Sequence, residues 1–209
     1  MGRRFYGSSM HGDDTNSGQT PEDAFRSLRK INQLEIQPGD QIFLERGSVF
    51  IGECLHLYAG GTKEAPVVVD AYGEGALPRI EADGNGIWYQ NYGGHLDNVV
   101  HTWKGYLSSA VLLYDAEYIS IRNLEITNNP CIKNERLNQA DRMNRTGVSV
   151  IAQTHGTLHQ IELANLYIHD VEGNIYDKHL NNGGIYMSVS RPDDEEKTGI
   201  ARYDGIHIH

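Results

Sequence analysis

Histidine and acidic side chains gather in the last third of the chain. His169 is followed by Asp170, Glu172, Asn174, Tyr176, Asp177, Lys178 and His179, and the run closes on Asn181-Asn182-Gly183-Gly184. Side chains of these types suit two ways of cleaving a sugar chain. Elimination next to a uronic acid removes the proton α to the carboxylate, so it needs a base and a cation that neutralises the substrate's charge. Lys178 is the first choice of base and His169 the second. Arg202 or a bound Ca²⁺ would neutralise the charge. Lysine serves as a base only where burial or nearby cations pull its pKa toward neutrality. Hydrolysis needs two carboxyl groups instead, ~5–5.5 Å apart for retention or ~6.5–9.5 Å for inversion. Asp170, Glu172, Asp177 and Asp204 are the candidates, although a solvated loop is the commoner place for any one such acid.

Strand alternation adds a second set. Leu166 and Ile168 facing inward put Tyr167 and His169 outward, and Ile206 and Ile208 inward put His207 and His209 outward. If these strands stack, His169 lies beside His209 and Tyr167 beside His207. With Asp177 and His179 in the wall, that face would bind sugar. Asp13-Asp14-Thr15-Asn16-Ser17-Gly18 alternates oxygen ligands, so Asp13, Asp14 and Asn16 are the candidate Ca²⁺ ligands. The loop lacks the closing Glu of an EF-hand, and an Asx-rich turn is the competing explanation. No cofactor is certain from the residues, and Ca²⁺ is the one they suggest. His155, His159, His169, His179, His207 and His209 match no metal-binding spacing. Gly60-Gly61 and Gly93-Gly94 precede no helical pattern and are turns, not phosphate loops.

The elements that must position these residues are short strands. Thr20-Pro21-Glu22-Asp23 has the form of a helix start, and Ala24, Leu28 and Ile31 follow at helical spacing, so a capping helix is expected, ending before Pro38-Gly39-Asp40. Strands are expected over 41–47, 66–73 and 77–82. An internal repeat then dominates. Asn123-Leu124-Glu125-Ile126-Thr127 returns 42 residues later as Asn165-Leu166-Tyr167-Ile168-His169, and 40 further on as Gly205-Ile206-His207-Ile208-His209. Ala110-Val111-Leu112-Leu113 returns at intervals of 37 as Gly147-Val148-Ser149-Val150 and Gly184-Ile185-Tyr186-Met187. Inward residues of each series should stack, and Asn123 and Asn165 should hydrogen-bond along the stack.

Phe5-Tyr6-Gly7-Ser8-Ser9, Gly12 to Gly18, Pro38-Gly39-Asp40-Gln41-Ile42 and Gly60 to Gly73 carry a resemblance. Together they look like the opening of bacterial right-handed parallel β-helix proteins of the pectate-lyase-like superfamily, which includes polysaccharide lyases and β-helical glycoside hydrolases. The resemblance implies an all-β, right-handed parallel β-helix (a solenoid) with an N-terminal capping α-helix. It would be a single domain over 1–209, with the strand and cap in 1–40 and the coils in 41–209, ending mid-coil as an incomplete N-terminal portion. It also implies an enzyme that cleaves a polysaccharide or oligosaccharide. The alternative is a non-catalytic glycan-binding or structural module, or an inactive fragment of a larger enzyme. The remainder of the β-helix, or another chain, would then be a partner.

Composition bounds these expectations. A formal net charge of -10 argues against nucleic acid as a partner, and no apolar run reaches the ~20 residues of a membrane helix. Cys54 and Cys131 form no CxxC pair, which excludes zinc-ribbon and thioredoxin-type motifs and favours free thiols. Met1 to Tyr6 has no apolar leader core. Location stays open: extracellular or periplasmic if a leader is removed, otherwise cytoplasmic.

Overall fold

The structure, a computed structural model, describes residues 2–91, 104–130, 143–153, 156–174, 181–190 and 201–209. Its strands form three sheets. The first runs β1 (Arg4–Gly7), β2 (Gln41–Glu45), β5 (Val67–Tyr72), β9 (Ile119–Arg122), β12 (Thr157–Ala164) and β15 (Arg202–Ile208). The second holds β3 (Val49–Ile51), β6 (Arg79–Glu81), β10 (Glu125–Asn128) and β13 (Tyr167–Val171). The third holds β4 (Leu55–Leu57), β8 (Lys104–Tyr114), β11 (Asn144–Ala152) and β14 (Gly183–Val189). Every pairing along these sheets is parallel. The exception is β7 (Ile87–Asn91), which lies antiparallel on β8.

Alternation along the strands builds the core. One side chain in two is apolar and points inward, and parallel register sets like on like. Phe5, Ile42, Val69, Ile121 and Leu163 form one row across the first sheet. Phe50, Ile80, Ile126 and Ile168 form a row across the second. Leu57, Leu113, Val150 and Met187 cross the third. These rows meet in one apolar cluster. Each fully buried aliphatic side chain contributes about 1.5–3 kcal/mol relative to exposure. The spacing of 37 residues is met strand for strand, with Val111 paired to Val148 and Val148 to Ile185.

The expected β-helix behind a capping helix is corrected to an all-β chain of several parallel sheets with almost no helix. Pro21–Asp23 makes one 3₁₀ turn, and Ala24 is already extended (φ -69°, ψ 149°). Phe25 instead bridges to Gly7 as extended chain. Ser27 caps a single helical turn, Leu28–Ile31, by accepting from the Lys30 amide. The apolar stripe is real, since Ala24, Phe25, Leu28 and Ile31 are all buried. It packs without a continuous helix because hydrogen bonds to strands replace helical ones: Phe25 N–H donates to the Tyr6 carbonyl and Ser8 N–H to the Phe25 carbonyl. No helix among the described residues is long and apolar enough to cross a membrane.

Asn123 and Asn165 turn the chain from the first sheet to the second. Both sit in the left-handed region (φ 55° and 49°), where Asn is tolerated better than most residues. Asn165 Nδ2 donates to Asn123 Oδ1, and Asn123 Nδ2 donates to Asp70 Oδ1 at 2.6 Å. Asn123→Val should therefore destabilise the fold by about 1–3 kcal/mol, from strain and from the broken chain of amides. Urea unfolding should show the loss, and Asn123→Gly should recover the part due to strain.

Candidate functional site

The outer face of the first sheet carries a groove of about 740 Å³. Ile119, Ile121, Ile161 and Leu163 are buried, so Ser120, Arg122 and Glu162 face out. Ile206, paired with Ile161, puts His207 out beside Glu162. Just before these residues the alternation skips a step. Tyr118 (φ 47°), Gln160 (φ 50°) and Gly205 (φ 84°) are all left-handed, and each directly precedes one of the paired isoleucines 119, 161 and 206. The kink brings His159 and Asp204 onto the outer face that Tyr118 occupies.

Glu162 is the hub. It accepts from Ser120 Oγ at 2.7 Å and Arg122 Nε at 2.8 Å, and Oε1 meets His209 Nε2 at 3.1 Å. The Ser120 bond, with those of Arg122 and His209, outweighs burial and holds its carboxyl at about 2. These donors favour the ionised carboxylate strongly, which makes it a poor general acid. His159 Nδ1 lies 3.3 Å from Asp204 Oδ2, and its ring stacks on Tyr118 (centroids 5.7 Å, 25°).

The second sheet presents a different cluster. His169 Nδ1 meets Asp170 Oδ2 at 2.9 Å, and Nε2 meets Glu125 Oε1 at 3.1 Å. Its ring stacks on Tyr167 (centroids 4.3 Å). Arg79 joins Glu125 to Glu81. With a carboxylate on each nitrogen, both nitrogens of His169 donate, and the imidazolium is favoured. The Asp170 bond raises its pKa first; burial opposes it, and Glu125 adds to it. To act as the base expected at position 169, the ring would first have to give up the proton that these two carboxylates favour. A raised folded pKa gives stability that is complete below the unfolded value of ~6.5 and lost as pH rises through the folded value. His169→Gln should abolish that part of the pH dependence, measured as the urea midpoint between pH 5 and 9.

The third sheet is roofed. Trp88 on β7 covers Leu107, Leu112 and Ile151, and its Nε1 donates to Ser109 Oγ at 2.7 Å. Gln90 is buried and donates to Tyr186 Oη and Ser188 Oγ. Beneath the roof Asn128 Nδ2 donates to Ser108 Oγ and to the Thr146 carbonyl, and its Oδ1 accepts from Gly84 N–H.

Of the residues singled out from sequence, Tyr167, His169 and Asp170 come together on the second sheet. His207 and His209 lie on the first. The expected pairs His169–His209 and Tyr167–His207 are corrected, because β15 pairs with β12 and not with β13. Arg202 also lies on β15, opposite Thr157, and donates to its Oγ1 at 2.8 Å. Asp177, Lys178 and His179, like Cys131, lie outside the described residues. Asp13 accepts from Thr15, Asp14 from Arg26 and Ser27, and Asn16 Nδ2 donates to Ala24. These bonds tie the N-terminal loop to the segment before the helical turn. Among the described residues no three His, Cys, Asp or Glu side chains gather as a metal site. Cys54 is a free thiol, and burial pushes its pKa up to about 11.

Sequence reasoning missed Tyr118, Arg122 and Glu162, and weighed His159 only as a metal ligand. Their signal is an earlier part of the same repeat. Tyr118-Ile119-Ser120-Ile121-Arg122 matches Gln160-Ile161-Glu162-Leu163-Ala164, and the third copy of that unit is Gly205-Ile206-His207-Ile208-His209.

Fold and site together define an all-β scaffold of parallel sheets whose outer faces carry polar and aromatic clusters. The particular proteins it is similar to are lacto-N-biosidases. Two crystal structures of the GH136 lacto-N-biosidase from Eubacterium ramulus, native and selenomethionine derivative, superpose with a TM-score of 0.90 at 55% identity. They cover 99% of this chain and 33% of theirs. The lacto-N-biosidase of Bifidobacterium longum subsp. longum is 39% identical over 215 aligned residues, covering 91% of this chain and 13% of its own length. This chain thus spans about a third and about an eighth of these relatives. No protein-family profile matches it. The pectate-lyase-like resemblance is corrected by these matches, which point to glycoside hydrolases and not to lyases.

Proposed function

We propose that this chain works in glycoside hydrolysis, as part of an enzyme of the lacto-N-biosidase kind acting on an oligosaccharide. The observation that supports it most is 55% identity, with the same fold, across 99% of the chain. The geometry bears on one of the two bases an elimination would use: His169, the second choice, is clamped between two carboxylates and favours the imidazolium. Hydrolysis needs two carboxyl groups, and Asp170 on the second sheet and Asp204 on the first are candidates from the sequence with side chains open to solvent, each able to supply one. Glu162 is a poor fit for the acid, because Ser120, Arg122 and His209 all donate to it and hold its carboxyl far below the usual range.

The share of the relatives' length also supports a second reading, a glycan-binding part whose catalytic carboxyls lie elsewhere in the enzyme. Product analysis separates the possibilities. The protein is incubated with an oligosaccharide ending in lacto-N-biose and, separately, with uronate polymers. Release of the disaccharide with new reducing ends is expected. Binding of the oligosaccharide without cleavage favours the second reading. An unsaturated product absorbing in the ultraviolet contradicts both.

A further inference from the structure

Beyond the carboxyl of Asp204, the groove on the first sheet holds groups that the hydrolysis proposed above does not use. Its carboxylate at Glu162 is locked in the ionised form, and its imidazole at His159 is held by Asp204 and stacked on Tyr118. We propose that this groove is a subsite for a neutral saccharide, gripped by Glu162 and Arg122 and floored by the Tyr118–His159 pair. The choice of ligand class rests on the glycoside-hydrolase reading above.

Four observations carry the inference. The volume, about 740 Å³, lies within the range of small-molecule sites and accommodates a sugar unit with its neighbour. The charges lining it cancel: Lys63 and Arg122 oppose Glu162 and Asp204. A balanced lining gives no net attraction to a uronate or a phosphate, and it suits a ligand that is polar but uncharged. Next, Arg122 and Glu162 present fixed donors and acceptors side by side. Adjacent sugar hydroxyls both donate and accept, so one can give its proton to Glu162 Oε1 while its neighbour accepts from the guanidinium. Such charge-assisted bonds are stronger than those between neutral groups. Finally, Tyr118 and His159 form a flat surface on which the C–H face of a pyranose ring can lie, as polar-tipped aromatic rings do at binding sites.

The backbone supports the same reading. Tyr118 and Gln160 hold left-handed conformations that bulky residues seldom adopt, and such strain clusters at binding and catalytic sites. Gly205 completes the row: a β-carbon there would lie 3.1 Å from Gln160 Nε2. The strained row puts His159 and Asp204 on the groove side beside Tyr118, where unbroken alternation would turn them inward.

The test is a chemical-shift titration of the isotope-labelled chain with lacto-N-biose and, in parallel, with galacturonate. The disaccharide should shift Tyr118, Arg122, Glu162 and His207 saturably, and galacturonate should not. His159→Leu and Glu162→Gln should each weaken binding at least tenfold, with the thermal midpoint kept within a few degrees. Ile51→Ser, on the second sheet, should bind as the parent does. Should Glu162→Gln fail to fold, the parent shift map and His159→Leu still decide. Shifts confined to another surface, or tighter binding of galacturonate in the groove, overturn the subsite. If hydrolysis of the oligosaccharide is seen and the groove stays silent, the subsite alone falls. If hydrolysis and binding are both absent, the glycoside-hydrolase reading falls with it.

Discussion

Replacing Leu113 with alanine should lower the free energy of unfolding by about 2–5 kcal/mol. Leu113 is fully buried and lies in register between Leu57 and Val150, with Met187 next along the row. Its own strand is hydrogen-bonded on both sides, to β4 and β11. Parallel ladders on either flank keep the backbone from closing over the missing atoms, so the cost includes the cavity as well as the lost transfer energy. Urea unfolding should show a lower midpoint at unchanged slope. A loss under ~1 kcal/mol, well below that range, would mean that the neighbouring strands do collapse into the space.

Asp40→Ala should rank second, at about 2–3 kcal/mol, the scale of hydrogen bonds to charged groups. Asp40 is 1% exposed and holds the N-terminal strand to the sheet. Its Oδ1 accepts from Arg3 N–H and Nε, and its Oδ2 from Arg3 Nη2 at 2.6 Å and Gln37 N–H at 2.9 Å. Burial alone would raise its pKa, but the bonds from Arg3 and Gln37 outweigh it and the net shift is downward. A lowered carboxyl pKa gives stability that is present above the unfolded value of ~3.9 and lost as pH falls through the folded one. The parent should thus lose stability more steeply than Asp40→Ala as pH falls below ~4, and the gap between the two should close as Asp40 takes up its proton. The figure is held below the cost of a fully buried broken pair because the Arg3 side chain is 49% exposed and can turn to water.

Much of the strand content was legible because parallel stacking repeats apolar residues at fixed intervals. The series at Val111, Val148 and Ile185 pairs as its spacing implies, and so do Ile126 and Ile168. The Asn123–Asn165 bond follows from two identical residues at one turn of successive repeats. The third copy failed for a physical reason. Gly-Ile-His-Ile-His resembles any alternating strand, and alternation alone cannot say which of two consecutive sheets a strand joins. Only the longer unit that includes Ile119 and Ile161 places Ile206 in the first sheet.

The helix at 20–37 misled because its apolar spacing fits a core plug as well as a helical face. Ala24, Phe25, Leu28 and Ile31 bury their side chains while the backbone runs partly as a strand partner. The roof strand β7 left little trace, since Trp88 and Gln90 are buried by the outer face of the third sheet and not by the main core. The groove was illegible for a further reason. Its left-handed row includes Tyr118 and Gln160, residue types that give no warning of positive φ.

The claim of glycoside hydrolysis is tested most directly by running the reaction on a lacto-N-biose-terminated oligosaccharide in ¹⁸O-labelled water. Hydrolysis predicts that one product gains a single heavy oxygen at its new reducing end, seen by mass spectrometry as soon as it is released. Cleavage that leaves an unsaturated sugar with no label taken up from water would contradict it.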